Sequence, residues 1–102
     1  MASSKYTEKA EADLKNIIDY TLEMWGKNQA HIYLDGLEKL ALSLSAAPNI
    51  GKSCDDLHIG LRAFPYQSHV LYYLEEPYGI TVMRVLHESM NPGLQFGEEG
   101  SL

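Results

Sequence analysis

Three residues in the second half of the chain are of types that could together cleave RNA. Arg62, Arg84 and His87 fall within or directly after short segments of strand-like composition, so neighbouring strands could bring them together. One group would accept the proton of a ribose 2′-hydroxyl, another would protonate the leaving oxygen, and arginine would neutralise the pentacovalent phosphate. Arg84 could instead pair with a nearby acid while Arg62 covers the sheet edge, so composition leaves both interpretations open.

Other chemistry-bearing residues indicate no further reaction. The four histidines are scattered, and Cys54 and His58 have no second ligand pair at the spacing of a structural zinc site, so we expect no metal. Two aspartates follow Cys54 and would raise the pKa of its thiol, which makes it a poor nucleophile. Glu75 and Glu76 precede a proline in a predicted hairpin turn and are interpreted as solvated. We assign no catalytic residue and expect no cofactor.

Charge and length narrow the class of function. The chain has 102 residues and 8 basic against 14 acidic side chains, for a net charge of −6. This length fits a single domain, and the acidic balance disfavours direct binding of nucleic acid. Beyond residue 50 the only basic residues are Lys52, Arg62 and Arg84. The chain shows neither an apolar run long enough for a membrane span nor a signal peptide, so we expect a cytoplasmic protein without membrane contact.

Helical periodicity dominates the first half of the chain. Apolar residues recur at helical spacing between caps at Thr7 and Gly26, which predicts a helix over Thr7–Trp25. A second apolar stripe over residues 30–44 predicts another helix, with Asn28 as its N-cap. Two helices joined by so short a link must run antiparallel as a hairpin, and each must bury its stripe against another element.

The second half predicts a small sheet. Residues 48–56 have loop composition, and three segments rich in β-branched and aromatic residues follow: Leu61–Phe64, His69–Leu74 and Ile80–Leu86. Hairpin-length turns separate them, and residues 2–6 could add a fourth strand. The predicted fold is α+β, an N-terminal antiparallel helical hairpin packed on a small antiparallel sheet of three to four strands. Residues 1–91 form this domain, and residues 92–102 form a mobile C-terminal tail.

The apolar stripes have two possible uses. Packing into an intramolecular core is the default interpretation of their periodicity. A hairpin leaning on a small sheet could also leave a groove for an amphipathic helix of a partner, lined by Leu37, Leu40, Leu44 and the aromatic strands.

Several motifs follow one another in the order of a known family. They are Ala12-Asp13-Leu14, Tyr20-Thr21-Leu22-Glu23, Trp25-Gly26, Pro48-Asn49-Ile50-Gly51-Lys52, Gly60-Leu61-Arg62, Phe64-Pro65, Ser68-His69-Val70 and Arg84-Val85-Leu86-His87. In this order the chain resembles the ParE toxins of bacterial type II toxin–antitoxin modules, within the wider RelE-like group. The resemblance extends from about residue 7 to residue 91, nearly the whole chain.

The resemblance implies a toxin that is not an enzyme. It would inhibit DNA gyrase by protein–protein contact, block replication and growth, and be neutralised by a ParD-like antitoxin. The antitoxin would fold an extended acidic or amphipathic C-terminal segment over the toxin and pack a helix in the groove between hairpin and sheet. The residues that we assign to this antitoxin-binding groove are Tyr33, Leu37, Leu40, Leu44, Arg62, Phe64 and Tyr72.

The resemblance also suggests where the target is contacted and which alternatives stay open. We predict contact at the hairpin tip and the last strand, through Trp25, Lys27, Arg84 and His87. RelE-like relatives instead cut messenger RNA on the ribosome, a reaction that Arg62, Arg84 and His87 would carry. A third alternative is a ParE-like toxin with a target other than gyrase. The net charge of −6 favours a protein-binding toxin over an RNA-cleaving one, because ribosome-dependent relatives are usually strongly basic.

Overall fold

Thr7 and Gly26 bound the first helix, as predicted. In the computed structural model, which describes residues 2–96, α1 covers Glu8–Trp25, and the Thr7 hydroxyl accepts a hydrogen bond from the Ala10 amide at 3.1 Å. Gly26 has a φ of 92°, a left-handed conformation that glycine adopts without a Cβ penalty. Helix α2 covers Lys27–Ala46, so the two helices form the predicted hairpin.

The start of α2 differs from the prediction. Its N-cap is Gly26, and the Ala30 amide donates to the Gly26 carbonyl at 3.2 Å. The assignment of Asn28 as N-cap was wrong because one glycine both ends α1 and begins α2. The link between the helices is therefore a single residue.

In the described part of the chain, five strands form one sheet in the order β1-β5-β4-β3-β2. Their bounds are Ser3–Tyr6, Lys52–Ser53, Leu61–Tyr66, His69–Glu76 and Gly79–His87 for β1 to β5, and a 3₁₀ turn over Pro48–Ile50 precedes β2. The pair of β1 and β5 is parallel and the other three pairs are antiparallel. The α+β class and the hairpin-on-sheet architecture are confirmed.

The strand count is higher than the predicted three to four, and the sheet is mixed rather than antiparallel. Strand β2 has only two residues inside a segment whose proline, glycine and aspartate content predicts a loop. Strand β1 precedes the helical hairpin, which lies on one face of the sheet. The last strand, β5, pairs with β1 and runs in the same direction. Local composition predicts neither the pairing of β1 nor β2, because β5 is distant from β1 in the chain and β2 consists of two residues in a segment of loop composition.

The two faces of the sheet carry separate apolar clusters. The hairpin covers the inner face, where the buried cluster consists of Ala10, Tyr33, Leu37, Leu44, Leu71, Tyr73, Ile80, Val82 and Val85. On the outer face the buried residues are Leu61, Tyr72, Leu86 and Phe96. Helix α3, Pro92–Phe96, brings Phe96 to this face, with its ring centroid 5.2 Å from that of Tyr72.

Helix α3 covers residues 92–96 of the predicted C-terminal tail. The mobility of the tail was predicted from the glycine and glutamate content of residues 92–102 as a whole, and within it Phe96 has a buried position against the sheet. The rest of the predicted tail, residues 97–102, lies outside the described residues.

Gly36 lies in the middle of α2 where a tyrosine hydroxyl reaches the helix. The Tyr66 hydroxyl donates to the Tyr33 carbonyl at 2.8 Å, and a Cβ on Gly36 would overlap the same hydroxyl. The glycine therefore allows a side chain of β3 to bond the backbone of α2.

Gly36→Ala should lower the free energy of unfolding by about 1–3 kcal/mol, because its Cβ would overlap the Tyr66 hydroxyl. In a helix interior without such an overlap, alanine is more stabilising than glycine. The loss should be smaller in a Tyr66→Phe background, because the overlapping hydroxyl is absent there. Urea denaturation of the four proteins measures this coupling. An equal loss in both backgrounds would contradict the contact.

Candidate functional site: the hairpin tip

Arg84 is bound inside the fold rather than presented to a ligand. Its guanidinium forms a bidentate pair with Asp13 of α1, with Nε 2.8 Å from Oδ2 and Nη2 2.9 Å from Oδ1. Both side chains are mostly buried, with exposed fractions of 14% and 15%. Nη1 also donates to Gln95 of α3 at 3.3 Å. The paired-acid interpretation of Arg84 is thus the one that the structure shows.

Asp13 also accepts a hydrogen bond from the part of β5 that β1 does not reach. Strand β1 pairs only with Gly79–Val82, so residues 83–87 have no strand beside them on that side within the described chain. The Thr7 hydroxyl donates to the Met83 carbonyl at 2.8 Å, and Asp13 Oδ2 accepts from the Val85 amide at 3.0 Å. Side chains from the start of α1 therefore satisfy the backbone of β5 beyond β1.

Arg62 and His87 do not join Arg84 in a cluster. The Arg62 guanidinium donates to the Gly51 carbonyl at 2.7 Å and lies in register with Tyr73. His87 is in register with His69. His69 and Tyr73 are four residues apart along β4, which is about 13 Å at the usual strand rise. The register therefore keeps Arg62 and His87 apart, and Arg84 is held by Asp13.

The predicted antitoxin groove between hairpin and sheet is filled by the protein's own core. Tyr72 lies on the opposite face, and Arg62 is occupied by loop carbonyls. The helical stripes pack directly on the sheet, so a charge at Leu37, which is 1% exposed, would report on folding rather than on antitoxin binding. The other five assigned residues form or flank the inner core: Tyr33, Leu37, Leu40, Leu44 and Phe64.

An open groove lies instead at the hairpin tip, where α1 ends above the turn between β3 and β4. We call it the tip groove; it encloses about 390 Å³ and is lined by Thr21, Trp25, Gln29, Tyr33, Gln67, Ser68 and His69. Trp25 continues the apolar stripe one turn beyond the buried Thr21, yet it is 70% exposed. The core stripe of α1 thus ends in an aromatic side chain with open space beneath it.

His69 forms the polar centre of the tip groove. Its Nδ1 lies 3.2 Å from the Tyr33 hydroxyl, and its ring meets the His87 ring edge-on with centroids 5.5 Å apart. Burial lowers the pKa of His69, and the nearby His87 lowers it further, so the imidazole is neutral at pH 7. Burial, with a smaller contribution from Tyr66, raises the pKa of Tyr33, which keeps its phenol protonated.

His87 extends the polar side of the groove. The Ser89 amide donates to His87 Nδ1 at 3.1 Å, so this nitrogen is an acceptor and the Ser89 hydroxyl, 2.7 Å away, is its second donor. His87 is exposed on the surface. Its Nε2 is therefore the ring nitrogen left to a partner.

The turn below the groove holds an uncommon backbone conformation. Gln67 has a φ of 54°, the only positive value among non-glycine residues of the described chain. A left-handed residue other than glycine costs of order 1 kcal/mol or more, and such residues concentrate at functional sites. The turn holds this conformation at the wall of the tip groove.

The lining of the tip groove favours protein contact over phosphate chemistry. Its seven lining residues include no lysine or arginine to neutralise a phosphate, and both arginines of the sheet are held elsewhere. An exposed tryptophan beside amide, hydroxyl and imidazole groups is the composition of a protein-binding anchor with a polar rim.

A second hollow lies on the outer face of the sheet. It encloses about 680 Å³ between β2, β3, β4 and the start of α3, and Cys54 and Tyr72 are among its lining residues. Burial, with the nearby Asp56, raises the pKa of the Cys54 thiol, as the sequence predicts. Within residues 2–96 no three histidine, cysteine or acidic side chains come together as ligands for a metal ion.

Sequence comparison covers almost the whole described fold. Residues 5–92 match the family model described as ParE toxin of type II toxin-antitoxin system, parDE. The chain belongs to the ParE toxin family.

Relatives within the ParE family align over nearly their full lengths. Toxin ParE1 of Mycobacterium tuberculosis is 39% identical over 92 residues, which cover 87% of this chain and 94% of that protein. Toxin ParE1 of Caulobacter vibrioides is 31% identical over 97 residues, which cover 95% and 100% of the two chains.

The fold agrees with that of a solved structure. A chain described as the chromosomal ParDE TA system from P. aeruginosa superposes with a TM-score of 0.68 at 22% identity, over 85% of this chain and 96% of that one. Over residues 2–96 of this ParE-family chain, no helix combines the length and the apolarity needed to cross a membrane.

Sequence reasoning found Trp25 and His87 of this region but missed His69, Gln29 and Gln67 as groove residues. His69 was named only within a family motif. The packing that brings it beside α2 leaves no periodic pattern in the sequence. The aromatic contact of His69 with Tyr33, at 5.7 Å between ring centroids, exists only after the hairpin packs on the sheet.

Arg84→Ala should lower the free energy of unfolding by about 3 kcal/mol, because it leaves the mostly buried Asp13 carboxylate without its charge partner. The matched control is Lys15→Ala, which breaks an exposed pair with Asp19 of similar length, 2.9 Å against 2.8 Å, and should cost about 0.5 kcal/mol or less. Urea denaturation measures both. Similar losses for the two variants would contradict the structural role of Arg84.

The lowered pKa of His69 predicts a pH dependence of stability. The unfolded imidazole titrates near its ordinary value of 6.5, whereas the folded one binds a proton only at lower pH. The unfolded state therefore binds more protons between these values, and the free energy of unfolding should fall as the pH drops through 6.5. His69→Gln should make this fall shallower.

Urea denaturation between about pH 8 and about pH 5 measures the effect of His69. His31→Gln, which removes an exposed imidazole from α2, is the control for the loss of a histidine. An unchanged pH slope in the His69→Gln protein would contradict the burial of this imidazole.

Proposed function

We propose that this chain is the toxin of a ParDE-type module, that it inhibits DNA gyrase by protein–protein contact without breaking a covalent bond, and that a ParD-like antitoxin neutralises it. Membership of the ParE family and the likeness to relatives named Toxin ParE support this proposal.

The exposed Trp25 over the tip groove is the observation that carries the choice of contact over cleavage. A side chain of this size that is 70% exposed on a core-facing stripe offers a large apolar area to a protein partner. The bound states of Arg62 and Arg84 argue against RNA cleavage, because neither guanidinium is available to a phosphate at the groove.

The proposed target surface differs from the predicted one in a single residue. Trp25 lines the tip groove, Lys27 is exposed at the start of α2, and His87 adjoins the groove through His69. Arg84 is left out of the surface because its guanidinium is held by Asp13 and Gln95.

Trp25→Ala should weaken inhibition of gyrase supercoiling by about tenfold or more, the cost of removing an aromatic anchor from an interface. Ile59→Ala removes another well-exposed apolar side chain, outside the tip groove, and should leave inhibition within about twofold of the parent. Both variants are tested with purified toxin in a supercoiling assay and by growth arrest on induced expression. Circular dichroism confirms that each is folded.

The cleavage alternative is tested on the same proteins. Primer extension on ribosome-bound messenger RNA should show no new cut when the toxin is added. A toxin that leaves supercoiling untouched but cuts message, and that loses this cut in His87→Ala, would overturn the proposal in favour of an RNA endonuclease.

A further inference from the structure

Two imidazoles meet at the polar side of the tip groove. His69 on β4 and His87 on β5 are in register, and their rings meet edge-on with centroids 5.5 Å apart. The Glu88 amide donates to the Ser68 carbonyl at 2.8 Å, so the adjacent pair of His69 and His87 exchanges no backbone hydrogen bonds. Side chains lie closest in pairs of this kind, and the two rings therefore act on the same small part of the surface.

Hydrogen bonds decide which nitrogen of each ring carries the proton. The Tyr33 phenol has no other acceptor within residues 2–96, so it donates to His69 Nδ1, 3.2 Å away. His87 Nδ1 accepts from the Ser89 amide at 3.1 Å. With both Nδ1 atoms accepting, each neutral ring carries its proton on Nε2. Neither Nε2 has a hydrogen-bond partner in the described part of the chain, so the fold leaves two N–H donors unused.

The protein supplies little negative charge to these donors. None of the seven residues that line the tip groove is acidic. Glu88 follows His87, and its charge raises the pKa of His69, but burial and the His87 ring lower that pKa by more. Glu88 is exposed, and within residues 2–96 its carboxylate forms no hydrogen bond with either ring. An acceptor from outside the chain is therefore what the two donors lack.

The hairpin tip adds an apolar surface and a positive charge. Trp25 is 70% exposed over the groove, and Lys27, two residues further along the chain, is exposed as well. Glu23 precedes Trp25 by two residues, a rotation of about 200° around a helix, so its carboxylate lies on the other side of α1. An acidic side chain that enters the groove thus meets donors and an aromatic ring, and the lining residues oppose it with no carboxylate.

The charge state of His69 separates a carboxylate from a neutral acceptor. The titratable groups that face this ring are Tyr33 from α2, Tyr66 from β3, and His87 and Glu88 at the end of β5. Burial and the second imidazole keep His69 uncharged in the free protein. A carboxylate against Nε2 would favour the imidazolium form and offset both effects, whereas a carbonyl would accept the hydrogen bond without a comparable pull on the proton.

We propose that the tip groove binds an acidic side chain of the target protein, with Nε2 of His69 and of His87 as the hydrogen-bond donors and Trp25 packed against the same segment of the target. This inference rests on the proposed function, because it takes gyrase as the target. It makes the two histidines specificity-determining residues of the contact, and it couples binding to the uptake of a proton.

Calorimetry of the toxin with gyrase in the absence of DNA tests the coupling. A carboxylate contact raises the pKa of the imidazoles in the complex, so the complex binds more protons than the separate proteins. Binding should therefore tighten at least about threefold between about pH 8 and about pH 6. Titrations in buffers of different ionisation enthalpy should show net proton uptake by the parent complex near neutral pH.

Histidine variants show whether these two rings carry the effect. Glutamine keeps an N–H donor but does not titrate, so His69→Gln combined with His87→Gln should abolish the proton uptake. His87→Leu also removes the donor and should bind at least about threefold more weakly than His87→Gln at about pH 8. His31→Gln, which removes an exposed imidazole of α2 outside the lining residues, is the matched control and should keep the parental pH dependence. Circular dichroism at both pH values confirms that each variant is folded.

The outcomes separate this inference from the proposed function. Gyrase binding without proton uptake, or with the parental pH dependence in the combined glutamine variant, would overturn carboxylate recognition while inhibition by contact stands. Uptake that appears only when DNA is bound to gyrase would assign the anion to a phosphate and overturn it as well. Absence of any binding to gyrase would overturn both.

Discussion

The rest of the structure depends on the mostly buried ion pair between Asp13 and Arg84, which joins the helical hairpin to the sheet. It ties α1 to β5, and through Gln95 it ties both to α3. A mostly buried charge pair is stabilising only when its remaining hydrogen bonds are satisfied, and here the Val85 amide supplies one of them. With Thr7 bonded to Met83, the start of α1 is fixed against the sheet at several points.

This attachment decides which surfaces stay open. Because the base of the hairpin is held at the end of β5, its apolar stripes lie on the inner face and fill the space in which a partner helix was expected. At the other end of α1 the stripe runs past the buried core, and Trp25 is left exposed over the tip groove. The same attachment occupies the arginine that RNA chemistry would need.

Local sequence signals predicted the helical part of the fold well. Thr7 and Gly26 bound α1 because an N-cap hydroxyl and a left-handed glycine act within a few residues of the chain. The strands of the meander were found for a similar reason, since their composition and short turns are local. The parallel pairing of β1 was left open and the helix ending at Phe96 was missed, because each is stabilised by a partner distant in the chain. The two-residue β2 was missed because its segment has loop composition.

The candidate site shows the same division. The sequence by itself determined the helices, the meander, the acidic charge and the family, because capping, periodicity and motif order are properties of neighbouring residues. Only the tertiary structure decided that Leu37 is core while Trp25 is exposed, and that Arg84 binds Asp13 rather than a ligand. Exposure and partner choice depend on what lies across a packing interface, and residues on the two sides of that interface, such as Asp13 and Arg84, are far apart in the chain.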